Sequence, residues 1–278
     1  MLHVKYYASK INNVAARIRK KYEYRKHQRY LPSTNRADDI YLVSFPKSGN
    51  TWVRFLLANA IKNYLSLDRE INFFNIFEAI PDVQLNKNIR LEGPFGEPSL
   101  SRIIKSHSPY NPYYLRGFLL CRDPRDVMPS YYKYLTSYDV YPADKPFSEF
   151  IRHPQYGAAA WEQYTISWLK GMNKQGRNFQ IFRYEDFITT PEEQVRKLVA
   201  VLGLRLPEET IKKAVEMSSF KVMQTLEKET GCNFSLKPQS TPFVRKGQSD
   251  RGKLLLEEDK TYIESMTRRS ANLIGYEF

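Results

Sequence analysis

Lys47, Ser48, Asn50 and Thr51 surround a single glycine in the run Phe45-Pro46-Lys47-Ser48-Gly49-Asn50-Thr51-Trp52. A full positive charge, two hydroxyls and a glycine, where backbone must come close to something, make a turn that suits an anion. A second polar cluster, Lys105-Ser106-His107, follows an apolar run. A third, Arg122-Asp123-Pro124-Arg125-Asp126, has Ser130 eight residues beyond Arg122. Tyr184-Glu185-Asp186, Ser218-Ser219-Phe220 and Phe243-Val244-Arg245-Lys246-Gly247 add aromatic rings, hydroxyls and cations further along. Each has a plain alternative: a Lys-Ser-Gly surface turn, a structural histidine, an Arg/Asp helix cap.

Positioning these residues requires elements that end where they begin. Ile40 to Phe45 is a short apolar run with β-branched and aromatic members, which predicts a buried strand stopped by Pro46. Val53, Leu56, Leu57, Ala60 and Ile61 then recur at helical spacing, so a helix starts in the turn at Asn50. Free N–H groups and the positive end of the helix dipole converge there, beside Lys47. Arg102 to His107 reads as a second strand and places His107 at its carboxyl end, where ligands bind in open parallel α/β sheets. Gly117 to Cys121 is a third, buried strand. Asp123 can cap the helix after it, with Pro124 at the first helical position and Pro129 predicting a kink before Ser130. Asn178 to Phe182 is a fourth strand. Helices are expected over 155–176, 191–203, 207–217 and 257–276.

The stretch 66–100 has no clear period. It carries Phe73, Phe74 and Phe77 and turn formers around Gly93-Pro94 and Gly96-Glu97-Pro98. Such a stretch supplies a binding wall or lid, or is a surface insertion. Its acids are Asp68, Glu70, Glu78, Asp82, Glu92 and Glu97, against Arg69, Lys87 and Arg90.

With 278 residues, 42% of them hydrophobic, the chain can build one α/β domain: a central parallel sheet flanked by helices. No run reaches the ~18 apolar residues of a membrane span, and no secretory signal is visible. Cys121 and Cys232 are the only cysteines, which predicts a reduced, cytoplasmic protein without structural disulfides. Residues 1–36 hold ten Lys/Arg and one Glu, leaving +4 of the net +13 for the body, 37–278. In that segment Tyr7, Ile11, Val14, Ile18 and Tyr22 form an apolar stripe among basic residues. It reads as a basic amphipathic helix, either packed on the body or in peripheral contact with an anionic membrane.

The turn at Lys47 is P-loop-like but departs from the nucleotide-triphosphatase template G-x-x-x-x-G-K-[ST], because its lysine precedes the only glycine of the loop. Pro-Lys-Ser-Gly-x-Thr-Trp resembles instead the 5′-phosphosulfate loop of sulfotransferases that use PAPS (3′-phosphoadenosine 5′-phosphosulfate). The later clusters match that family in order across about residues 40 to 250, and the chain resembles its bacterial members that are similar to cytosolic sulfotransferases. The resemblance implies sulfuryl transfer from PAPS to an acceptor O–H or N–H, with PAP as product and no metal.

By the same resemblance, Lys47, Ser48, Gly49, Asn50 and Thr51 hold the phosphosulfate. His107 is the general base and Lys105 steadies the sulfonate oxygens. Arg122 and Ser130 take the 3′-phosphate, and Ser130 holds Lys47 aside until both substrates are bound. Tyr184 and Ser218 lie near the adenosine, Trp52 and Phe220 sandwich adenine, and Phe243, Arg245, Lys246 and Gly247 close over the 3′-phosphate. Asn50 stands where the family has Thr. Gln248-Ser249-Asp250-Arg251-Gly252-Lys253 replaces the family's Gly-Asp-Trp-Lys, which puts that loop's contacts in doubt.

The expected acceptor is a small neutral or cationic metabolite, such as an alcohol, phenol or basic natural product of secondary metabolism. It would be walled by 66–100 and 137–160, with a glycolipid or glycan as the alternative. No nucleic-acid partner is expected, and the sequence leaves the oligomeric state open. Two readings of another class stand beside this one: a P-loop kinase, which would need Mg²⁺ and a metal-holding Asp, and a non-catalytic anion- or nucleic-acid-binding protein built on the basic N-terminus.

Overall fold

The computed structural model describes residues 25, 27–174, 178–232, 244, 252 and 255–278. Strand β1 (Ile40–Ser44) is followed by α1 (Asn50–Tyr64) and a short α2 (Ile76–Ala79). Next come β2 (Ile103–Ser106), β3 (Arg116–Cys121), α3 (Pro124–Ser137), α4 (Phe147–Arg152) and α5 (Ala158–Met172). β4 (Asn178–Arg183), α6 (Tyr184–Thr189), α7 (Pro191–Val201), α8 (Glu208–Met217), α9 (Phe220–Thr230) and α10 (Glu257–Leu273) complete the described strands and α-helices, and a 3-10 turn lies at Pro94–Gly96. The four strands form one sheet in the order β2-β1-β3-β4, every pairing parallel. All four expected strands are present within a residue or two of their predicted ends. The basic helix expected before residue 25 lies outside the described residues.

Alternation along β1 explains the layers. Ile40 and Leu42 point to one face with Phe118 and Leu120, where they pack with α1, α7 and α8. Tyr41 and Val43 point to the other with Leu119 and Cys121, against α3, α5 and α10. A parallel sheet covered on both faces needs apolar residues at every position, and β1 is buried throughout.

β1 is central, and the chain leaves it first to one side, into β2, and then to the other, into β3. That reversal opens a crevice at the carboxyl ends of the strands. His107 is the first residue after β2, Arg122 the first after β3, Tyr184 the first after β4, and Lys47 the third after β1. The sheet therefore gathers at one edge residues that the sequence scatters over 138 positions, from Lys47 to Tyr184.

The body begins before residue 37. Leu31 is buried in the core, the Tyr114 hydroxyl donates to the Tyr30 carbonyl, and Arg102 donates to the Thr34 carbonyl. Phe73, expected on a binding wall, is fully buried against Phe55 at 5.0 Å, so it belongs to the core.

Candidate active site

The loop after β1 holds two residues in the left-handed region, Lys47 at φ 69° and Gly49 at φ 93°. The Lys47 conformation is strained for a residue with a Cβ, a cost of about 1–3 kcal/mol that functional loops tolerate. Gly49 is required twice over. Its φ favours glycine, and a Cβ there would lie 2.2 Å from Cδ2 of Tyr184. Gly49 caps α1, whose first turn contains no acidic residue, so the positive end of the helix is not neutralised from within. The Ser48 hydroxyl is buried and has no hydrogen-bond partner among the described residues. A buried, unsatisfied hydroxyl beside a strained cationic loop and a helix end with no side-chain cap fits a group rich in anionic oxygens. Thr51 remains partly exposed in the first turn.

Asn50 turns inward. Its amide donates to the Ser44 hydroxyl at 3.1 Å, which ties the loop to the end of β1. The Lys47 ammonium lies 4.4 Å from the ring centroid of Tyr134, one helical turn beyond Ser130 on α3. Ser130 itself is buried.

His107 faces this loop across the strand ends. Its Nδ1 lies 2.7 Å from the Ser44 carbonyl, an acceptor, so Nδ1 carries the proton and Nε2 keeps its lone pair. Burial and the Lys105 ammonium push the imidazole down to about 3, so the ring is neutral near pH 7. The backbone N–H of His107 donates to Oε1 of Gln84 at 2.9 Å. Lys105, buried, donates from Nζ to Asp82 at 2.8 Å and to the same Gln84 oxygen at 3.2 Å. Burial pushes the Lys105 ammonium down to about 8 against the pull of Asp82. Burial also pushes the Asp82 carboxyl up, but Lys105 outweighs it and the net direction is down.

On the other flank, Asp123 caps α3 by accepting from the Arg125 N–H at 2.8 Å, as its sequence predicts. α3 runs on through Pro129 to Ser137. The Arg122 guanidinium stacks 4.3 Å above the Tyr184 ring and reaches the Lys47 carbonyl and Asp126. Tyr184 thus packs on Gly49 with one part of its ring and carries Arg122 on its face. Asp126 also accepts from the Gly252 N–H at 3.0 Å. Phe243, Arg245, Lys246 and Gly247 lie outside the described residues. Gly252 docks within one turn of Arg122, and the Val244 N–H is held by Glu227 at 2.8 Å.

Trp52 donates from Nε1 to the Ser218 carbonyl at 2.8 Å, and the Ser218 hydroxyl accepts from Asn59 at 3.0 Å. So pinned, Trp52 stands 4.6 Å from Phe220, tilted by 37°. A base between two rings needs about 7 Å, two carbon contacts of ~3.5 Å. At 4.6 Å the two rings leave no room between them for a base in this structure. In this arrangement Trp52 and Phe220 touch and form one joined aromatic face.

Gln84, Ser44 and Tyr134 were not singled out for chemistry from the sequence, and Asp82 and Asp126 were named only within the acidic stretch and the Arg122 cluster. Gln84 comes from the irregular stretch, and only the pairing of that stretch with β2 brings it to His107. Arg54, on α1, is also fully buried, with its guanidinium on the Ile80 carbonyl and the Phe77 ring. Among the described residues no group of His, Cys, Asp and Glu has the geometry to hold a metal ion. No helix among them is long and apolar enough to cross a membrane.

The strand ends therefore bring together the strained Lys47 loop, the Lys105 ammonium, the Arg122 guanidinium and a neutral histidine whose Nδ1 is bonded to the Ser44 carbonyl. Comparison with known proteins identifies the family. The model of the sulfotransferase domain matches residues 37–269. Mouse sulfotransferase 1E1 is 27% identical over 232 residues, 76% of this chain and 76% of that protein. Rat sulfotransferase 1E1 is 29% identical over 231 residues, again 76% of each. Among solved structures, retinol dehydratase in complex with retinol and PAP superposes with a TM-score of 0.64 at 18% identity, covering 88% of this chain and 84% of that one. Mouse SULT7A1 complexed with PAP gives 0.59 at 19% identity, covering 86% of each chain. The chain belongs to the PAPS-dependent sulfotransferase family, as the resemblance of its Lys47 loop implies.

Proposed function

We propose that the protein moves a sulfuryl group from PAPS to a hydroxyl or amine nitrogen of a small neutral or cationic metabolite, with His107 as general base. The observation that carries this reading is the bond from His107 Nδ1 to the Ser44 carbonyl, which puts the proton on Nδ1 and leaves the Nε2 lone pair to act as the base. PAPS, when bound, supplies an activated sulfuryl group whose bond to the bridging 5′-phosphate oxygen breaks as the acceptor bonds to sulfur. His107 takes the acceptor proton, a role worth ~10²–10⁴ in rate. Lys47 and the loop N–H groups meet the negative charge that builds on the leaving oxygen. Lys105 stands behind His107 as a buried positive charge for the sulfonate oxygens. Arg122, Ser130 and the 243–247 segment hold the 3′-phosphate, and Trp52, Tyr184, Ser218 and Phe220 accept the adenosine.

The acceptor class rests on fewer residues than the acidic surplus of 66–100 suggests. Of its six acids, Asp82 is buried, whereas Asp68, Glu70, Glu78 and Glu92 are exposed and Glu97 is half-buried. Phe74 is exposed and Phe77 lies under Arg54. With Asp82 paired to Lys105 and the Tyr134 ring under Lys47, the exposed acids of the stretch are what favour a neutral or cationic acceptor over an anionic glycan. Competition under identical PAPS tests this: small phenols, alcohols and amines turn over in preference. Strong turnover of a uronate-rich glycan, with none on the small acceptors, overturns the acceptor class but not the transfer.

A further inference from the structure

Residues 81–84 form a one-residue extension of the sheet outside β2. Asp82 pairs with Lys105 in a parallel bridge. The Lys105 N–H donates to the Pro81 carbonyl at 2.8 Å, and the Val83 N–H donates to the Lys105 carbonyl at 3.2 Å. Side chains continue the pairing. Asp82 uses both carboxylate oxygens, Oδ2 for Lys105 Nζ at 2.8 Å and Oδ1 for the Gln84 N–H at 2.9 Å. The Gln84 amide oxygen accepts twice, from Lys105 Nζ at 3.2 Å and from the His107 N–H at 2.9 Å. Two donors on one oxygen fix which end of the amide faces the site. The four groups close a loop: Asp82 holds Lys105 and Gln84, and Gln84 holds Lys105 and His107.

We propose that Gln84 and Asp82 are positioning residues for transfer, which act through His107 and Lys105 by locking the strand end that carries the base. Their side-chain hydrogen bonds run to Lys105, His107 and each other, so cofactor affinity is expected not to depend on them. Gln84 is exposed, with no packing role of its own. The network also makes the 66–100 stretch and the base one unit, so an acceptor that seats against that stretch meets a histidine already in register. Positioning of this kind matters because misplacing a reacting group by about 1 Å can cost ~10²-fold.

The inference rests on His107 as the general base, and the test separates the two. ¹⁵N-histidine NMR of the full chain reads the ring tautomer of His107 without any acceptor, with His107→Ala assigning the signal. Gln84→Leu cannot accept a hydrogen bond, whereas Gln84→Glu can. In Gln84→Leu the pure Nδ1–H signature of the wild type is lost to a mixture of tautomers. PAP affinity by calorimetry stays within about twofold, as does the thermal midpoint within a few degrees, because an exposed side chain carries little stability. With p-nitrophenol as probe acceptor, kcat falls about tenfold to a hundredfold with little change in KM for PAPS. Gln84→Glu keeps the wild-type signature. An unchanged tautomer in Gln84→Leu overturns the positioning role and leaves the base assignment standing. Absence of the Nδ1–H form in the wild type overturns the base geometry itself.

Discussion

Gly49 shows how much chemistry a residue without a side chain can control. Its φ of 93° and the Tyr184 ring 2.2 Å from a notional Cβ leave no room for alanine. Gly49→Ala must push Tyr184, and with it the Arg122 guanidinium stacked on its face. PAP affinity by calorimetry should fall at least about tenfold, equivalent to ~1.4 kcal/mol. Affinity unchanged in a folded Gly49→Ala would separate the loop from the nucleotide. His107 carries a second prediction at this scale. Its folded pKa is depressed to about 3, so the neutral base is present throughout the ordinary working range. Lys105, depressed to about 8, loses its charge as the pH rises through that value. The kcat profile should therefore be flat from about pH 5 to 7 and fall above about 8. Loss of activity on acidification with a midpoint near 6.5, the ordinary histidine value, would show that His107 is not held as described. For stability the sign is the same for the histidine: the unfolded state binds the proton more readily, so stability declines as the pH falls below ~6.5.

At the scale of elements, the strands and the loop after β1 were legible because their signals are local. An apolar run, a proline stop and a change of period from strand to helix are all contained within residues 40–61. The Asp123 cap and the four strand ends were legible for the same reason. Asp82, Gln84 and Ser44 were not, since their roles come from parallel pairing of segments about twenty or sixty residues apart, which no local pattern encodes. The packing of Phe73 into the core was hidden too, because three phenylalanines in an aperiodic stretch do not reveal which one turns inward. Trp52 and Phe220 were named but their contact was not foreseen: it follows from the Trp52 bond to the Ser218 carbonyl. The α3 helix offers its own test. Asp126 joins Arg122 to Gly252, the described residue closest after the Arg245-Lys246-Gly247 segment. Asp126→Ala should weaken PAP about tenfold or more, the order expected for hydrogen bonds to a charged group. If the variant folds and binds PAP like the wild type, Asp126 does not organise the 3′-phosphate side.

For the whole molecule, the sheet order β2-β1-β3-β4 is what turns four separate motifs into one site. The basic N-terminus is a separate matter. Residues 27–36 are bonded into the body, so the informative deletion removes 1–24 and leaves Leu31 and the Tyr30 carbonyl in place. An enzyme of this design keeps its PAP affinity and transfer within a few-fold after that deletion, whereas an anion-binding module built on the basic segment loses its function. Nucleotide binding should also persist in chelator, since the proposed reading has the phosphates met by Lys47, Arg122 and the α1 terminus rather than by a metal. PAP binding that vanishes in chelator and returns with Mg²⁺ would favour the kinase reading.

The most direct measurement is transfer of label from [³⁵S]PAPS in the presence of chelator, against a panel of phenols, alcohols and amines. Wild type and His107→Ala are compared at matched PAP occupancy. The wild type should form labelled product. His107→Ala should lose about 10²–10⁴ of the rate while its PAP affinity stays nearly unchanged. A His107→Ala protein that retains most of the wild-type transfer rate would contradict the account.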